Sequence, residues 1–292
     1  MNIDEVYFQI INKILKEGTL KENRTGVDTI SVSGCMLEYD MKNGFPLLTT
    51  KKMAWKTIRV ELEGFIKGIT SKKWYQDRGC HIWDAWCNPS KVPYGHDEET
   101  RKRMAAEDDL GPIYGYQWRR FNELYLGREH KLPIREGVDQ LAWAIDQLKT
   151  NPQNRRIIVS AWNPEQLNQM ALVPCHYSFQ LLQNNGKLDL LWNQRSVDSF
   201  IGLPFNIASY GLLLSLIANE CGLEQGKLIG FLADTHIYVN HLDQLKEQEQ
   251  RKPFGPSKIN IANDKSVFDW EWKDARLENY KSHEAIKGKV AI

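Results

Sequence analysis

The sequence predicts an α/β (α+β) fold, and three features carry that prediction. Segments with a helical hydrophobic period interleave with apolar or alternating segments of strand length. Asn185-Gly186 stands between two such strands as a hairpin turn. Asn206 to Cys221 is mostly apolar over helical length and stops at Gly222, as a helix buried on most sides would.

Taken in order, Val6, Ile10, Ile11, Ile14 and Leu15 share one face of a first helix that Gly18 ends. Residues 29–40 alternate loosely and read as a strand. Gly44-Phe45-Pro46 turns the chain into a second helix from Ala54 to Lys67. Val138, Leu141, Ala142, Ile145 and Leu148 line an amphipathic helix that stops near Asn151-Pro152. Arg156 to Trp162 reads as an apolar strand. Asn163-Pro164-Glu165 reads as a helix start, with an N-cap amide, a proline at the first position and an early acid. His176 to Leu182 and Lys187 to Trp192 are the arms of the hairpin. Residues 87–109 and 121–135 are expected as solvated surface insertions.

Composition excludes several classes. Lys+Arg is 38 and Asp+Glu 37, so a net charge of +1 gives no global attraction to nucleic acid or membranes, and any anion site is local. Five cysteines at 35, 80, 87, 175 and 221 are odd in number and irregular in spacing, unlike a secreted disulfide framework. The N-terminus is acidic and polar, unlike a signal peptide. The longest apolar run, Leu212 to Ala218, is far short of the ~20 residues that span a bilayer. A soluble, cytoplasmic protein is expected. No strand is followed by a Gly-rich phosphate loop, which removes the Rossmann and P-loop readings.

Several short segments carry chemistry. In Val173-Pro174-Cys175-His176 the proline fixes the backbone, and a neighbouring histidine or arginine would lower the thiol pKa and give a usable thiolate. The bland reading is a small buried hydrophobe. Asn154-Arg155-Arg156 and Gln194-Arg195-Ser196 supply guanidinium forks and a hydroxyl, which suit a phosphomonoester dianion; surface salt bridges are the alternative. Arg195 lies in an apolar context and needs a partner. Asn206 can donate and accept at once, as reading O4 and N3–H of uracil requires, or it can cap the helix. Alternation puts Asp234, His236 and Tyr238 on one strand face, where His236 and Tyr238 can bond a sugar hydroxyl or His236 can simply be a core histidine. Trp83 and Trp86 offer a stacking wall for a flat ring, or core packing. Cys80, His81, Cys87 and His96 lack the short knuckle spacing of structural zinc, and no metal is expected.

Together and in this order, the segments resemble the folate-dependent thymidylate synthase family. The likeness runs through Arg24-Thr25-Gly26, Gly44-Phe45-Pro46-Leu47-Leu48-Thr49-Thr50-Lys51-Lys52, Leu110-Gly111-Pro112-Ile113-Tyr114-Gly115, Asn154-Arg155-Arg156, Pro174-Cys175-His176, Gln194-Arg195-Ser196, Leu203-Pro204-Phe205-Asn206, Asp234-Thr235-His236-Ile237-Tyr238 and Ala291-Ile292. The resemblance implies a single domain over 1–292, with a large mixed β-sheet flanked by helices and one sheet face packed in a homodimer. It implies reductive methylation of dUMP to dTMP with 5,10-methylenetetrahydrofolate as cosubstrate. Cys175 would attack C6 of the uracil. Arg24, Arg195 and Ser196 would hold the phosphate, joined by Arg155 and Arg156 from the partner subunit. Asn206 would select uracil, and His236 and Tyr238 would hold the ribose; Asp198 would serve both dUMP and folate. Glu61, Tyr114 and His176 would manage water and protons. Ile82, Trp83, Leu172, Gly202, Phe205 and Ala291 would contact folate, Lys51 its glutamate tail, and the C-terminal Val290-Ala291-Ile292 would close over the site.

The chain departs from the family pattern at a few positions. Glu63 and Gly64 stand where leucine and tryptophan are common, Asn193 where tyrosine is, and His283 lacks its following proline. Two other readings remain. One is a deoxyuridylate hydroxymethylase, which adds water where the synthase adds hydride; the other is a non-catalytic nucleotide- or RNA-binding relative. An intact set of Cys175, Glu61, Asn206 and arginines argues against the second.

Overall fold

The computed structural model describes residues 1–23, 25–130, 135–262 and 265–289. In chain order its elements are α1 (Ile3–Glu17), β1 (Thr19–Lys21), β2 (Thr29–Asp40), α2 (Trp55–Ile66), α3 (Lys72–Gln76), α4 (Glu98–Ala106), α5 (Tyr114–Arg120) and α6 (Gln140–Thr150). There follow β3 (Ile158–Ser160), β4 (His176–Asn184), β5 (Lys187–Asp198), α7 (Gly202–Glu220), β6 (Glu224–Tyr238), α8 (Leu242–Glu249), β7 (Lys258–Ile261) and β8 (Ala275–Glu278). The expected class is the observed one: a mixed sheet of six strands, in hydrogen-bonded order β1-β2-β6-β5-β4-β3, with helices. The chain divides into two compact units, Met1–Trp55 with Leu181–Asn263 and Asp274–Ile292, and Lys56–Gln180 with Asp264–Lys273. It enters the second unit from the middle of the first, which is why no linker composition marks a boundary.

In the first unit, β2 runs antiparallel to β6 from Thr29 opposite Tyr238 to Asp40 opposite Lys227. β5 runs parallel to β6. Parallel neighbours cannot be joined by a tight turn, and the 19-residue α7 makes the crossover. Alternation buries Leu37, Tyr39, Trp192, Leu228 and Leu232 beneath α1 and α7. By length and apolarity α7 also meets the test for a membrane-crossing helix, which the seven-residue run in the sequence did not suggest. Its apolar window is 78% buried inside the fold, as suits a core helix. The β4–β5 turn takes Asn185 to φ 51° and Gly186 to φ 77°, the left-handed pair that a type I′ hairpin demands.

In the second unit, Ile58, Leu62, Phe65, Tyr75, Trp118, Leu141, Ile145 and Phe179 are buried. Several local expectations are corrected. Val138 is exposed and pairs with Phe121 as an isolated bridge, so α6 begins after an Asp139 N-cap. The apolar strand shortens to β3. No α-helix follows Asn163. Its side chain is buried against Gln117 and Gln166, and a short 3-10 turn at Leu167–Gln169 is all that forms. Leu15 of α1 is exposed, and the buried stripe runs through Tyr7. The 87–109 stretch is more than a solvated excursion: it holds α4 and buries Cys87, Val92 and Met104 together. In the other expected insertion Tyr125 is buried with its hydroxyl on Asp109, and positions 131–134 lie outside the described residues.

Asp4, in the first turn of α1, is almost fully buried and accepts from the amides and hydroxyls of Thr49 and Thr50 at 2.7 to 3.1 Å. It fixes the Thr49-Thr50-Lys51 segment to the helix. Asp4→Ala would strip these donors of their acceptor, and is expected to cost about 3 kcal/mol. That should lower the melting midpoint by roughly 6 °C or more. A calorimetric midpoint equal to wild type would show the bracket to be dispensable.

Candidate active site

In the second unit, five of the expected residues come together. Tyr114, at the start of α5, accepts the Cys175 amide N–H on its hydroxyl at 2.8 Å. Its ring stacks on His176 with centroids 4.4 Å apart and on Phe65 at 4.9 Å. Glu61 is one helical turn before Phe65 on α2 and therefore shares its face. Trp83 packs edge-on against Phe65 and Tyr114. Cys175 itself is half-buried, immediately before β4.

The electrostatics divide the roles. Burial raises the Glu61 carboxyl to about 8; the Trp83 indole N–H opposes the shift without reaching hydrogen-bond geometry. Glu61 therefore exchanges its proton near neutrality. Burial alone drives His176 down to about 3. His176 is neutral at working pH, so of the two thiol activators that the sequence allowed, an imidazolium at 176 is excluded.

The first unit gathers a polar strip. Ser196 lies opposite Asp234, and Asp198 opposite His236, on adjacent strands β5 and β6. Ser31 of β2 donates to Asp234 at 2.5 Å. His236 is buried with Nδ1 3.2 Å from the Asp234 carbonyl, and its ring meets Tyr238 edge-on at 5.3 Å. Arg195, between Gln194 and Ser196 on β5, is half-buried.

Asn206 does not cap α7. The helix begins at Gly202, and the Asp198 carboxylate accepts from the amides of Phe200 and Ile201 just before it. Asn206 instead accepts on Oδ1 from Gln194 Nε2 at 3.1 Å, which fixes the amide's orientation. Gln194 is buried, accepts from the Trp192 indole and donates to the Ser196 carbonyl. Sequence reasoning missed this role; the signal was a buried amide inside Gln-Arg-Ser. Gly202 and Phe205 flank the same helix start, half-buried. Lys51 is turned inward: Nζ donates to the Phe200 carbonyl at 2.5 Å and lies 3.7 Å from that ring's centroid, and burial lowers it to about 7.

Arg155 and Arg156 are exposed just before β3. Ile82 is exposed beside buried Trp83, and Leu172 is half-buried. The tryptophan pair separates, since Trp86 stacks on Tyr94. Arg24 and the C-terminal Val290, Ala291 and Ile292 lie outside the described residues. Among the described residues no group of three or more His, Cys, Asp or Glu side chains could hold a metal.

Two departures from the family pattern have physical explanations. A side chain at Gly64 would collide with Tyr75, whose hydroxyl and ring lie 2.2 to 2.4 Å from where its Cβ would be. Tyr75 thus fills space that a larger residue at 64 would take. Glu63 is buried, paired with Lys67 at 2.7 Å, and accepts the Trp272 amide at 2.9 Å. Nothing in the structure explains Asn193.

The chain matches the thymidylate synthase family model over residues 5–292. It is 43% identical to a thymidylate synthase of Mycoplasma genitalium and 43% identical to one of Mesoplasma florum, in each case over 98% of this chain and 99% of the relative. It is 42% identical to the bifunctional dihydrofolate reductase-thymidylate synthase of Paramecium tetraurelia, covering 98% of this chain and 61% of that protein.

The Glu61 shift has a stability consequence. Its folded-state pKa lies above the ordinary 4.5, so the unfolded chain ionises first and the native state loses stability as pH rises between 4.5 and about 8. Glu61→Gln should melt like wild type near pH 4 and above it at pH 8. Equal midpoints at both pH values would mean that Glu61 titrates normally.

Proposed function

This chain belongs to the thymidylate synthase family, and from that premise we propose a residue-level account of how it converts dUMP to dTMP with 5,10-methylenetetrahydrofolate. The chain is a methyltransferase. The hydroxymethylase alternative is not favoured, because the relatives are synthases.

The observation that carries the account is the cluster in which Tyr114 holds the Cys175 amide and stacks on Phe65, one helical turn from a carboxyl that titrates near neutrality. Cys175 Sγ adds to C6 of the uracil, and the electron pair moves to C5, which becomes the carbon nucleophile. The folate supplies a one-carbon unit and then a hydride. Glu61 exchanges protons with the base and its water, and Tyr114 and neutral His176 orient that network. Loss of the C5 proton and return of the thiolate complete the balance. Asn206, locked by Gln194, donates to O4 and accepts from N3–H. Arg24, Arg155, Arg156, Arg195 and Ser196 bind the phosphate, and Asp198, His236 and Tyr238 complete the nucleotide contacts. This remote binding energy places C6 against sulfur.

Ile82, Trp83, Leu172, Asp198, Gly202, Phe205 and Ala291 form the folate contacts. Trp83 suits a flat heteroaromatic ring, being an aromatic face whose buried N–H lacks an acceptor. Lys51 would have to leave the Phe200 carbonyl to meet the glutamate tail. The enzyme is taken to act in the cytoplasm, as the odd number and irregular spacing of its cysteines suit a reducing compartment.

A homodimer is part of this reading. Met36 and Phe231 are paired in register on the outer sheet face and are 60% and 43% exposed. Two exposed apolar side chains paired on a sheet face are what a second copy would cover. Phe231→Lys should shift the sedimenting species from dimer to monomer; an unchanged dimer would put the interface elsewhere. Exposed Arg155 and Arg156 would then serve the partner's phosphate.

The decisive assay is incubation with dUMP and methylenetetrahydrofolate, with both products identified by mass and absorbance. dTMP with dihydrofolate is expected, and Cys175→Ser should abolish it while leaving dUMP binding measurable. Hydroxymethyl-dUMP with tetrahydrofolate would overturn the synthase reading. Asn206→Asp should shift preference toward dCMP, and unchanged selectivity would remove the base-reading role.

A further inference from the structure

The 87–109 stretch, to which the reaction gives no role, is joined to the Trp83 segment by a buried lysine. Lys72 opens α3 and is only 2% exposed. Its Nζ donates to three backbone carbonyls: Met104 at 2.6 Å, Asp84 at 3.2 Å and Ala105 at 3.3 Å. An ammonium has three donors, and here each has an acceptor. Met104 and Ala105 belong to the last turn of α4, whose carbonyls lack intrahelical partners and carry the negative end of the helix dipole. Asp84 directly follows Trp83.

The surrounding bonds make this junction stiff. Gln76, one helical turn beyond Lys72, donates to the Asp84 carboxylate at 3.0 Å, so both ends of α3 grip the same residue. The excursion is closed at its base, where the Asn88 amide donates to the Asp109 carbonyl at 2.7 Å and the Lys72 amide to the Asp108 carbonyl at 2.9 Å. Cys87, Val92 and Met104 bury together inside it. The end of α4 therefore has no slack relative to α3, and one ammonium carries its position to the residue after Trp83.

We propose that Lys72 is a positioning residue that makes the 87–109 excursion a support of the folate wall, holding Ile82 and Trp83 through the Asp84 carbonyl and the end of α4. The proposal rests on the reading that Ile82 and Trp83 meet folate.

Lys72→Met keeps the stem length and removes the donors. It should raise the KM for methylenetetrahydrofolate roughly tenfold, with a smaller change in kcat and an unchanged Kd for dUMP. A uniform loss of both affinities, or an unchanged folate KM, would overturn it. The wild-type enzyme supplies a second measurement that does not depend on the variant's folding. Arg101, Lys102 and Arg103 are exposed trypsin sites on α4. Coupling is reciprocal, so dihydrofolate added with dUMP should slow cleavage there severalfold beyond dUMP alone. Equal cleavage with and without dihydrofolate would refute the coupling. If the wild type made no dTMP, the functional reading would fail instead, and the two failures are thereby distinct.

Discussion

The hydrogen bond from the Cys175 amide to the Tyr114 hydroxyl is the constraint around which the second unit's chemistry is arranged. It ties the start of β4 to the start of α5, two segments far apart in sequence. Once Tyr114 is fixed, its ring has two stacking partners, Phe65 and His176, whose own centroids lie 6.3 Å apart. Phe65 in turn fixes the face of α2 on which Glu61 lies. Cys175, proposed as the nucleophile, and the aromatic wall are thus placed by one chain of contacts, with Glu61 one helical turn from Phe65. Burial of that chain is also what raises Glu61 and neutralises His176.

The first unit reaches its polar strip by a different route, strand register. β5 and β6 run parallel because α7 carries the chain across the sheet, and their register sets Ser196 beside Asp234 and Asp198 beside His236. A slip of one residue would send this set to the other face. Asn206 is specified by contact instead, through the buried amide of Gln194. Asp198 holds the turn before the same helix, so the residue expected to meet ligand also steadies the backbone that leads into Asn206's helix.

Where the chain departs from its family, the structure shows compensation more than damage. Gly64 is paired with a tyrosine at 75 that occupies the vacated volume, and Glu63 gains both a lysine and a backbone donor. A buried carboxylate satisfied in this way is tolerable, whereas one left alone would be costly. The junction between α3 and the 87–109 excursion follows the same rule: the buried Lys72 ammonium meets three carbonyls.

Much of this was legible in the sequence, because the signals concerned are local. The α1 and β2 segments follow from hydrophobic period, α2 from the turn at Gly44-Phe45-Pro46, α7 from its apolar length and closing Gly222, and Asn185-Gly186 from the left-handed backbone that only such residues adopt readily. The residue types proposed for attack, phosphate binding and base reading stand in the motifs themselves. Other outcomes required tertiary structure, because they depend on what a side chain meets across the chain. Asn163 had a helix-start signature and was captured by Gln117 and Gln166. Asn206 suited a cap equally well until Gln194 claimed it. His176 could have been an activating cation, and burial made it neutral. Nothing in the residues next to Lys72 marks it as buried. The sequence by itself determined which elements form and which chemistry is present, since period and functional groups are properties of neighbouring residues. Only the tertiary structure decided protonation, orientation and support, since those are set by burial and by partners distant in the chain.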